Sequence, residues 1–431
     1  MSLLVAALAV GGFFYLRDTS APQIALNPEA GPVSAKKALL LDLQDSGSGL
    51  KELRVTVVQG EKTQEILNKS FDAGTIAHQE SLVLSGAGLK DGPLELRVSA
   101  GDRSIYSFGR GNRVEQSFTL EYDSKPPTVA VVSTAHNLNQ GGAGLIIYTV
   151  SEEPAKSGVQ VGELFFPGFR QQGDTFACFF AFPWNMSAAQ FTPRLVNIDQ
   201  AGNERISGFY HHVNARSFPR DRIEISNNFL ESKMPEFQEF YPETSDLLQL
   251  FLKVNGEMRG QNVQALLEIG RNTSPRPLWK GGFVRQLGAP RGHFAQGRTY
   301  HHNGAEIDQA THLGVDIAGL AQMPVVAANG GRVVFADYLG IYGNTIIIDH
   351  GLGLQSLYAH LSQMSAAVGD TVDKGQEIAR SGASGMAGGD HLHFGMLISG
   401  LEVVPLEWWD ENWIKNNISG KLAEIPGGAP L

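Results

Sequence analysis

Thr311-His-Leu-Gly-Val-Asp316 is the stretch from which the rest of the chain can be read, and two later segments answer it, Leu357-Tyr-Ala-His-Leu361 and Asp390-His-Leu-His-Phe394. Together they supply His312, Asp316, His360, His391 and His393, enough for a complete three-ligand metal site with two imidazoles to spare. A catalytic zinc usually takes three protein ligands and keeps a fourth position for water, whose pKa it lowers until hydroxide is available near neutrality. That chemistry is hydrolysis. In an extended segment side chains alternate between faces, so His391 and His393 share a face and Leu392 turns away. His312 and Asp316 are an even number of residues apart, so both can reach one metal. Eight of the twelve histidines fall between His293 and His393, a concentration that needs a cause.

Joined in this order, the three segments resemble the lysostaphin-type zinc metallopeptidases, the LytM-like endopeptidases of bacterial cell walls. The resemblance covers roughly residues 281–405. Gly314-Val-Asp-Ile-Ala318 is similar to that family's first metal motif and Gly330-Gly-Arg-Val-Val334 to its following strand. Gly343-Asn-Thr-Ile-Ile-Ile-Asp-His-Gly351, followed by the Tyr-Ala-His segment, resembles its central hairpin. The run from Val368 to Gly382 resembles a hammerhead-like turn shared with lipoyl-type domains.

Carried over residue by residue, the resemblance implies that His312, Asp316 and His393 bind one Zn2+ per chain, and that His360 and His391 handle protons and the developing oxyanion. Imidazole titrates in the range such a task needs. Which of the two is the base is not legible in the sequence, nor are substrate-binding residues. His350, ending an Ile-rich run, reads as a turn cap, and His301 and His302 as members of a polar loop. His211 and His212 read as structural or exposed.

At 431 residues the chain is too long for one ordinary core, so two to four domains are expected. A formal net charge of −10 leaves no basic stripe to neutralise phosphates and argues against nucleic acid. The single Cys178 excludes an intrachain disulfide framework, and its Phe176-Ala-Cys-Phe-Phe180 setting is that of a buried small hydrophobe. Residues 2–16 are almost wholly apolar. They are short for a spanning helix and lack a charged n-region, so the natural sequence is expected to start further upstream. The segment still reads as an export signal or signal anchor, and the want of a small-x-small cleavage site favours an uncleaved anchor.

Residues 22–122 alternate short apolar runs with Gly, Asp and Ser clusters, as a β-sandwich does. Ser124-Lys-Pro-Pro127 is a natural boundary, and a second unit of like texture follows. Between Asp221 and Ile269 the pattern turns helical. Thr244-Ser-Asp246 offers N-cap candidates, and Leu247, Leu248, Phe251 and Leu252 recur at helical spacing. This segment reads as a packed connector, with restraint of access to the zinc as the second reading. Trp408 and Trp409 are expected to pack a C-terminal helix onto the barrel, with a sugar platform as the alternative.

The expected protein is therefore mostly β. It comprises an anchor or export signal (1–19), two immunoglobulin-like β-sandwich modules (20–124 and 125–217), a helical connector (218–275) and a C-terminal β-barrel zinc peptidase domain (276–431). The resemblance implies an endopeptidase that cuts peptide cross-links of peptidoglycan, outside the cytoplasm and held to the cytoplasmic membrane. A protein partner for the β modules is expected. The competing readings are a catalytically silent activator of cell-wall amidases and a scaffold with structural zinc, which would be closed by four protein ligands.

Overall fold

The computed structural model describes residues 18–105 and 110–425. The apolar segment read as an anchor lies outside the described residues. Among the described residues no helix is long and apolar enough to cross a membrane.

The protein is mostly β and divides into two compact units. The first runs to Thr128 and takes in Glu152–Ala155 and Asn197–Arg205. In it, Gln23–Asn27, Leu39–Gln44 and Ala77–Leu82 form one antiparallel sheet, and a second, five-stranded sheet centres on Gly92–Asp102 and Leu50–Gln59. Leu39–Gln44 is strictly alternating, with Leu39, Leu41 and Leu43 buried and Leu40, Asp42 and Gln44 exposed. The buried row meets Val55, Leu96, Val98 and Phe118 of the other sheet in one apolar core, so the unit is a two-sheet sandwich.

The second unit holds Val129–Ser151, Lys156–Val196 and everything from Ile206 onward. Ala143–Val150 and Thr175–Ala181 pair antiparallel, Leu145 opposite Phe179, and are buried on both faces. Such strands read as unbroken apolar runs because neither face meets water. Cys178 is fully buried there and its thiol is pushed up to about 12 by burial, as befits a small hydrophobe. These strands share one core with the C-terminal domain: the Phe179 ring lies 5.9 Å from Trp279 and 5.8 Å from Trp408. Trp408 is fully buried between Phe179, Phe283 and Trp413, which excludes it as a sugar platform, while Trp409 stacks on Phe394.

The helical segment comprises Asn227–Lys233, Leu247–Lys253 and Arg259–Ile269 with short irregular turns between. Asp246 caps the second helix by accepting from the Gln249 N–H. Leu230, Phe237, Phe251 and Leu266 pack against Ile347, Leu357 and Leu397 of the barrel. The central strand Asn344–Gly351 explains how: Ile346 and Ile348 face the core shared with the second β region, and Ile347 faces the helices. The connector is thus one wall of the domain that carries the histidines.

That domain is built on a sheet ordered Ala289–Gly292, Val315–Ala318, Leu392–Ile398, Leu354–Ala359, Asn344–Gly351, Gly331–Tyr338 and Thr371–Val372, with Leu401–Val403 pairing to Leu392–Ile398. A small sheet of Pro324–Val326, Glu377–Ser381 and Leu361–Met364 accompanies it. A third sheet sets Arg220–Glu224 parallel to Gln296–His302, which forms a hairpin with Ala305–His312.

Candidate functional site

Four strands, Ala305–His312 and the three neighbours Val315–Ala318, Leu392–Ile398 and Leu354–Ala359, bring the five sequence-predicted residues to one place. Asp316 lies directly opposite His393 in the pairing of Val315–Ala318 with Leu392–Ile398, and Ala359 lies opposite His393 on the other side. His312 closes its hairpin strand just before the turn into Val315–Ala318. His360 follows Leu354–Ala359 with a positive φ of 61°, an uncommon conformation for a side-chain-bearing residue, and its N–H donates to the Tyr342 carbonyl. His391 sits at an isolated bridge to Gly382 immediately before its strand. All five line one cavity of about 530 Å³, so the shared face expected for His391 and His393 is observed.

Within the site, His312 Nε2, Asp316 Oδ1 and His393 Nδ1 converge. The separations are 2.8 Å for His312–Asp316, 2.9 Å for His312–His393 and 3.0 Å for His393–Asp316. His312 Nδ1 lies 2.9 Å from the His293 carbonyl, and a carbonyl can only accept, so that nitrogen carries the proton. In the neutral ring the Nε2 lone pair therefore points at a carboxylate oxygen and at a second imidazole nitrogen. A proton or a metal ion shared among these atoms would hold them together, and two imidazoles with one carboxylate are a donor set that suits a divalent metal ion.

His360 and His391 stand beside this trio. Their ring centroids are 4.8 Å apart, and His391 Nε2 is 3.5 Å from Asp316 Oδ1. His360 Nδ1 lies 2.8 Å from the Ser384 carbonyl and His391 Nδ1 2.8 Å from the Gly389 carbonyl. Both rings thus carry the proton on Nδ1, and Nε2 of His391 is turned toward Asp316. Burial lowers His360 well below the usual imidazole range, and the neighbouring His391 and His393 lower it further. For His391 burial also pulls downward, but the hydrogen bond and charge of Asp316 outweigh it and the net shift is upward. Burial alone would raise Asp316, yet a positive charge and hydrogen bond at His312, with hydrogen bonds from His391 and His393, hold it well below the carboxylate range, so a cation at this junction, proton or metal, is what keeps the carboxylate ionised. One imidazole biased to neutrality beside one biased to protonation is an arrangement for moving a proton.

Two glycines make room for the trio. A Cβ at Gly314 would collide with the His393 ring, and one at Gly292 with the Asp316 carboxylate. The side chain that sequence reasoning missed is Arg298, whose Nη2 pairs with Asp316 Oδ2 at 2.9 Å and leaves Oδ1 to the imidazoles. Alternation along Gln296–His302 puts Arg298 and Tyr300 on one face, but only the hairpin register brings them beside Asp316. The opposite wall of the cavity is apolar, with Ile225, Phe229, Phe251 and Met386.

Two readings of the remaining histidines are corrected. His350 is no turn cap: it is fully buried, 2.8 Å from the Gly330 carbonyl through Nδ1 and 2.8 Å from Ser356 Oγ through Nε2. His301 and His302 belong to a strand, not a loop, and His302 Nδ1 lies 2.7 Å from the Ile225 carbonyl. His211 and His212 stand on the strand His211–Asn214, away from the site. The first unit gathers carboxylates at Asp18, Asp45 and Asp102 and at Asp123, Glu152 and Asp199, of which the aspartates accept backbone N–H groups, as Asp45 does from Gly47 and Gly49 and Asp199 from Asn203.

Residues 310–405 match the family model for peptidase family M23, and the C-terminal region carries a domain of that family, the LytM and lysostaphin type. The chain is similar to the DD-carboxypeptidase/endopeptidase Mpg of Neisseria meningitidis serogroup B, 40% identical over 95 residues, which are 22% of this chain and 22% of that protein. It is also similar to the murein hydrolase activator EnvC of Escherichia coli, 36% identical over 126 residues, 28% of this chain and 30% of that one. Among solved structures, the antimicrobial peptidase lysostaphin from Staphylococcus simulans shares 32% identity over 23% of this chain and 43% of that chain, with a TM-score of 0.22. The similarity to the two curated relatives spans less than a third of their own length.

Proposed function

We propose that this protein is a zinc-dependent endopeptidase that hydrolyses peptide cross-links of peptidoglycan. The observation that carries the reading is the convergence of His312 Nε2, Asp316 Oδ1 and His393 Nδ1, with the His312 proton committed to a backbone carbonyl on the far side of its ring. These three residues hold one Zn2+. Bound there, the ion supplies a Lewis acid and brings the pKa of water close to neutral. His360 and His391, each with its Nδ1 proton held by a loop carbonyl beside the trio, share the handling of the proton of the attacking water and of the developing oxyanion or leaving amine. Arg298 holds the second oxygen of Asp316 so that one oxygen serves the ion. The substrate class is supported by the relatives, a DD-carboxypeptidase/endopeptidase and a murein hydrolase activator, and the amide-hydrolysing chemistry by the residues.

The same reading puts the chain outside the cytoplasm, held at the membrane by its apolar first residues, with the two upstream β modules as immunoglobulin-like spacers or partner-binding surfaces. The test is incubation of the zinc-loaded full chain with cross-linked muropeptide dimers, with and without a chelator, followed by mass analysis. Chelator-sensitive conversion to monomers is expected. Folded, zinc-replete protein that leaves dimers intact but stimulates a cell-wall amidase in the same assay would replace this reading with the activator one, in keeping with the murein hydrolase activator of Escherichia coli.

A further inference from the structure

The peptide linking Ser384 to Gly385 is engaged at both ends. Its carbonyl, on Ser384, accepts the His360 Nδ1 proton at 2.8 Å, and its N–H, on Gly385, donates to Glu236 Oε1 at 2.5 Å. Because an amide is planar and conjugated, a carboxylate on its N–H both fixes the direction of its carbonyl and polarises it into a stronger acceptor. Glu236 does not hang loose. Lys233 Nζ pairs with it at 2.9 Å and reaches the neighbouring Ala383 carbonyl at 2.6 Å, and Tyr338 OH donates to the same Glu236 oxygen at 3.0 Å. Both charged residues lie at one helical corner, where Asn227–Lys233 runs into the turn Met234–Phe237.

The loop they grip needs holding. Gly382, Gly385, Gly388 and Gly389 make half of residues 382–389, and glycine leaves a backbone free to turn its carbonyls. Its inner side is tied to the barrel by Ser384 Oγ on the Leu361 carbonyl and by the Met386 N–H on the Ile341 carbonyl. Its outer side is tied to Lys233 and Glu236.

We propose that Glu236 is a positioning residue for His360, acting across the Ser384–Gly385 amide to hold the imidazole as its Nδ1–H tautomer with Nε2 presented to the cavity. It is the carboxylate partner of a histidine with one peptide group interposed, and Lys233 is its brace. The helical connector thereby contributes to the chemistry of the site as well as to its wall. The kinetic part of this inference rests on the proteolytic reading above; the structural part does not.

The experiment uses the zinc-loaded full chain. Glu236→Ala, Glu236→Gln and the control Glu243→Gln are compared for kcat and KM on muropeptide dimers, for zinc content, and for the 15N shifts of histidine-labelled protein. In Glu236→Ala, kcat is expected to fall about tenfold with KM and zinc unchanged, and the His360 signal to move from one tautomer toward a mixture. Glu236→Gln keeps an acceptor for Gly385 without the charge and is expected to retain the tautomer with a loss of about threefold; Glu243→Gln, at an exposed carboxylate paired with Lys253 outside this network, stays at the parent value. A parent-like His360 tautomer in Glu236→Ala overturns the proposal, and so does an unchanged kcat in an active enzyme. If Glu236→Ala does not fold, Lys233→Met, which frees the Ala383 carbonyl, is read by the same two criteria. A parent protein inactive on every dimer defeats the proteolytic reading, while the 15N arm still decides whether Glu236 sets the imidazole.

Discussion

Asp316 and His393 face each other across adjacent antiparallel strands, with Oδ1 3.0 Å from Nδ1, and the free nitrogen of His312 lies within 2.9 Å of both. A directly opposed pair is among the stiffest relationships a sheet offers, so two ligands are set by strand register and the third by the turn that precedes it. Removing any one leaves two donors, too few for a tight site. His312→Ala, Asp316→Ala and His393→Ala are each expected to lose bound zinc, read by elemental analysis, and turnover with it. Zinc retained by His393→Ala but lost from His391→Ala would reverse the assignment.

His360 and His391 belong to the other half of the site. Each has its Nδ1 proton on a loop carbonyl, and neither Nε2 belongs to the close trio of His312, Asp316 and His393, so the proposed site leaves the ion to those three. His360→Ala and His391→Ala should keep their zinc and lose roughly a hundredfold or more in kcat on muropeptide dimers. Parent-like turnover in either variant would remove that histidine from the mechanism.

Gly314 tests the site without touching a ligand. Its backbone is not in the left-handed region, so alanine is conformationally acceptable there, but the added methyl would occupy the space of the His393 ring. Gly314→Ala is expected to weaken zinc binding by about tenfold or more in competition with a chromophoric chelator, as when a ligand is swung out of place. Parent-like affinity would mean that the ring has slack the packing does not suggest.

The five polar residues were legible because ligand chemistry restricts residue types and because strand alternation turns spacing into shared faces, as His391 and His393 illustrate. Fully buried strands such as Asn344–Gly351 were legible as apolar runs. What stayed hidden depends on long-range register or on backbone atoms. Arg298 meets Asp316 only through a hairpin 14 residues upstream of His312, and the carbonyls of His293, Ser384 and Gly389 carry no residue signature at all. His350 looked like a turn residue because Asp349 and Gly351 flank it; its burial comes from the loops folded over that strand end. The sharing of one core by the second β region and the barrel was likewise invisible, since apolar runs do not name their partners.

The helical segment, read first as a packed connector and second as a restraint on access to the zinc, packs as one wall of the domain that carries the histidines. Phe251 is 1% exposed, and its ring lies 5.4 Å from Tyr300 on the strand that carries Arg298. Phe251→Ala should destabilise the protein by about 3–5 kcal/mol in denaturant unfolding. A chain cut to begin at Pro277 should expose the same apolar face and lose stability, not merely open a groove. A loss below 1 kcal/mol on Phe251→Ala would return the segment to the status of a detachable lid.

His350 gives the fold a titratable weak point away from the zinc ligands. Burial among apolar groups lowers its pKa to about 4, with only the Gly330 carbonyl pulling the other way. The folded state therefore keeps the ring neutral where the unfolded chain, near the ordinary value of about 6.5, takes up a proton. Above that value His350 imposes no penalty. As pH falls toward 4 the unfolded state binds the proton that the folded state refuses, so stability drops, by on the order of 3 kcal/mol in all, and levels off once the folded ring also titrates. His350→Gln cannot titrate and should lose this part of the slope whatever its absolute stability. The measurement is urea unfolding at steps between pH 4 and 6.5 for both proteins, with chelator present so that proton release on metal binding does not enter. Identical slopes would mean that His350 is protonated in the fold or that water reaches it.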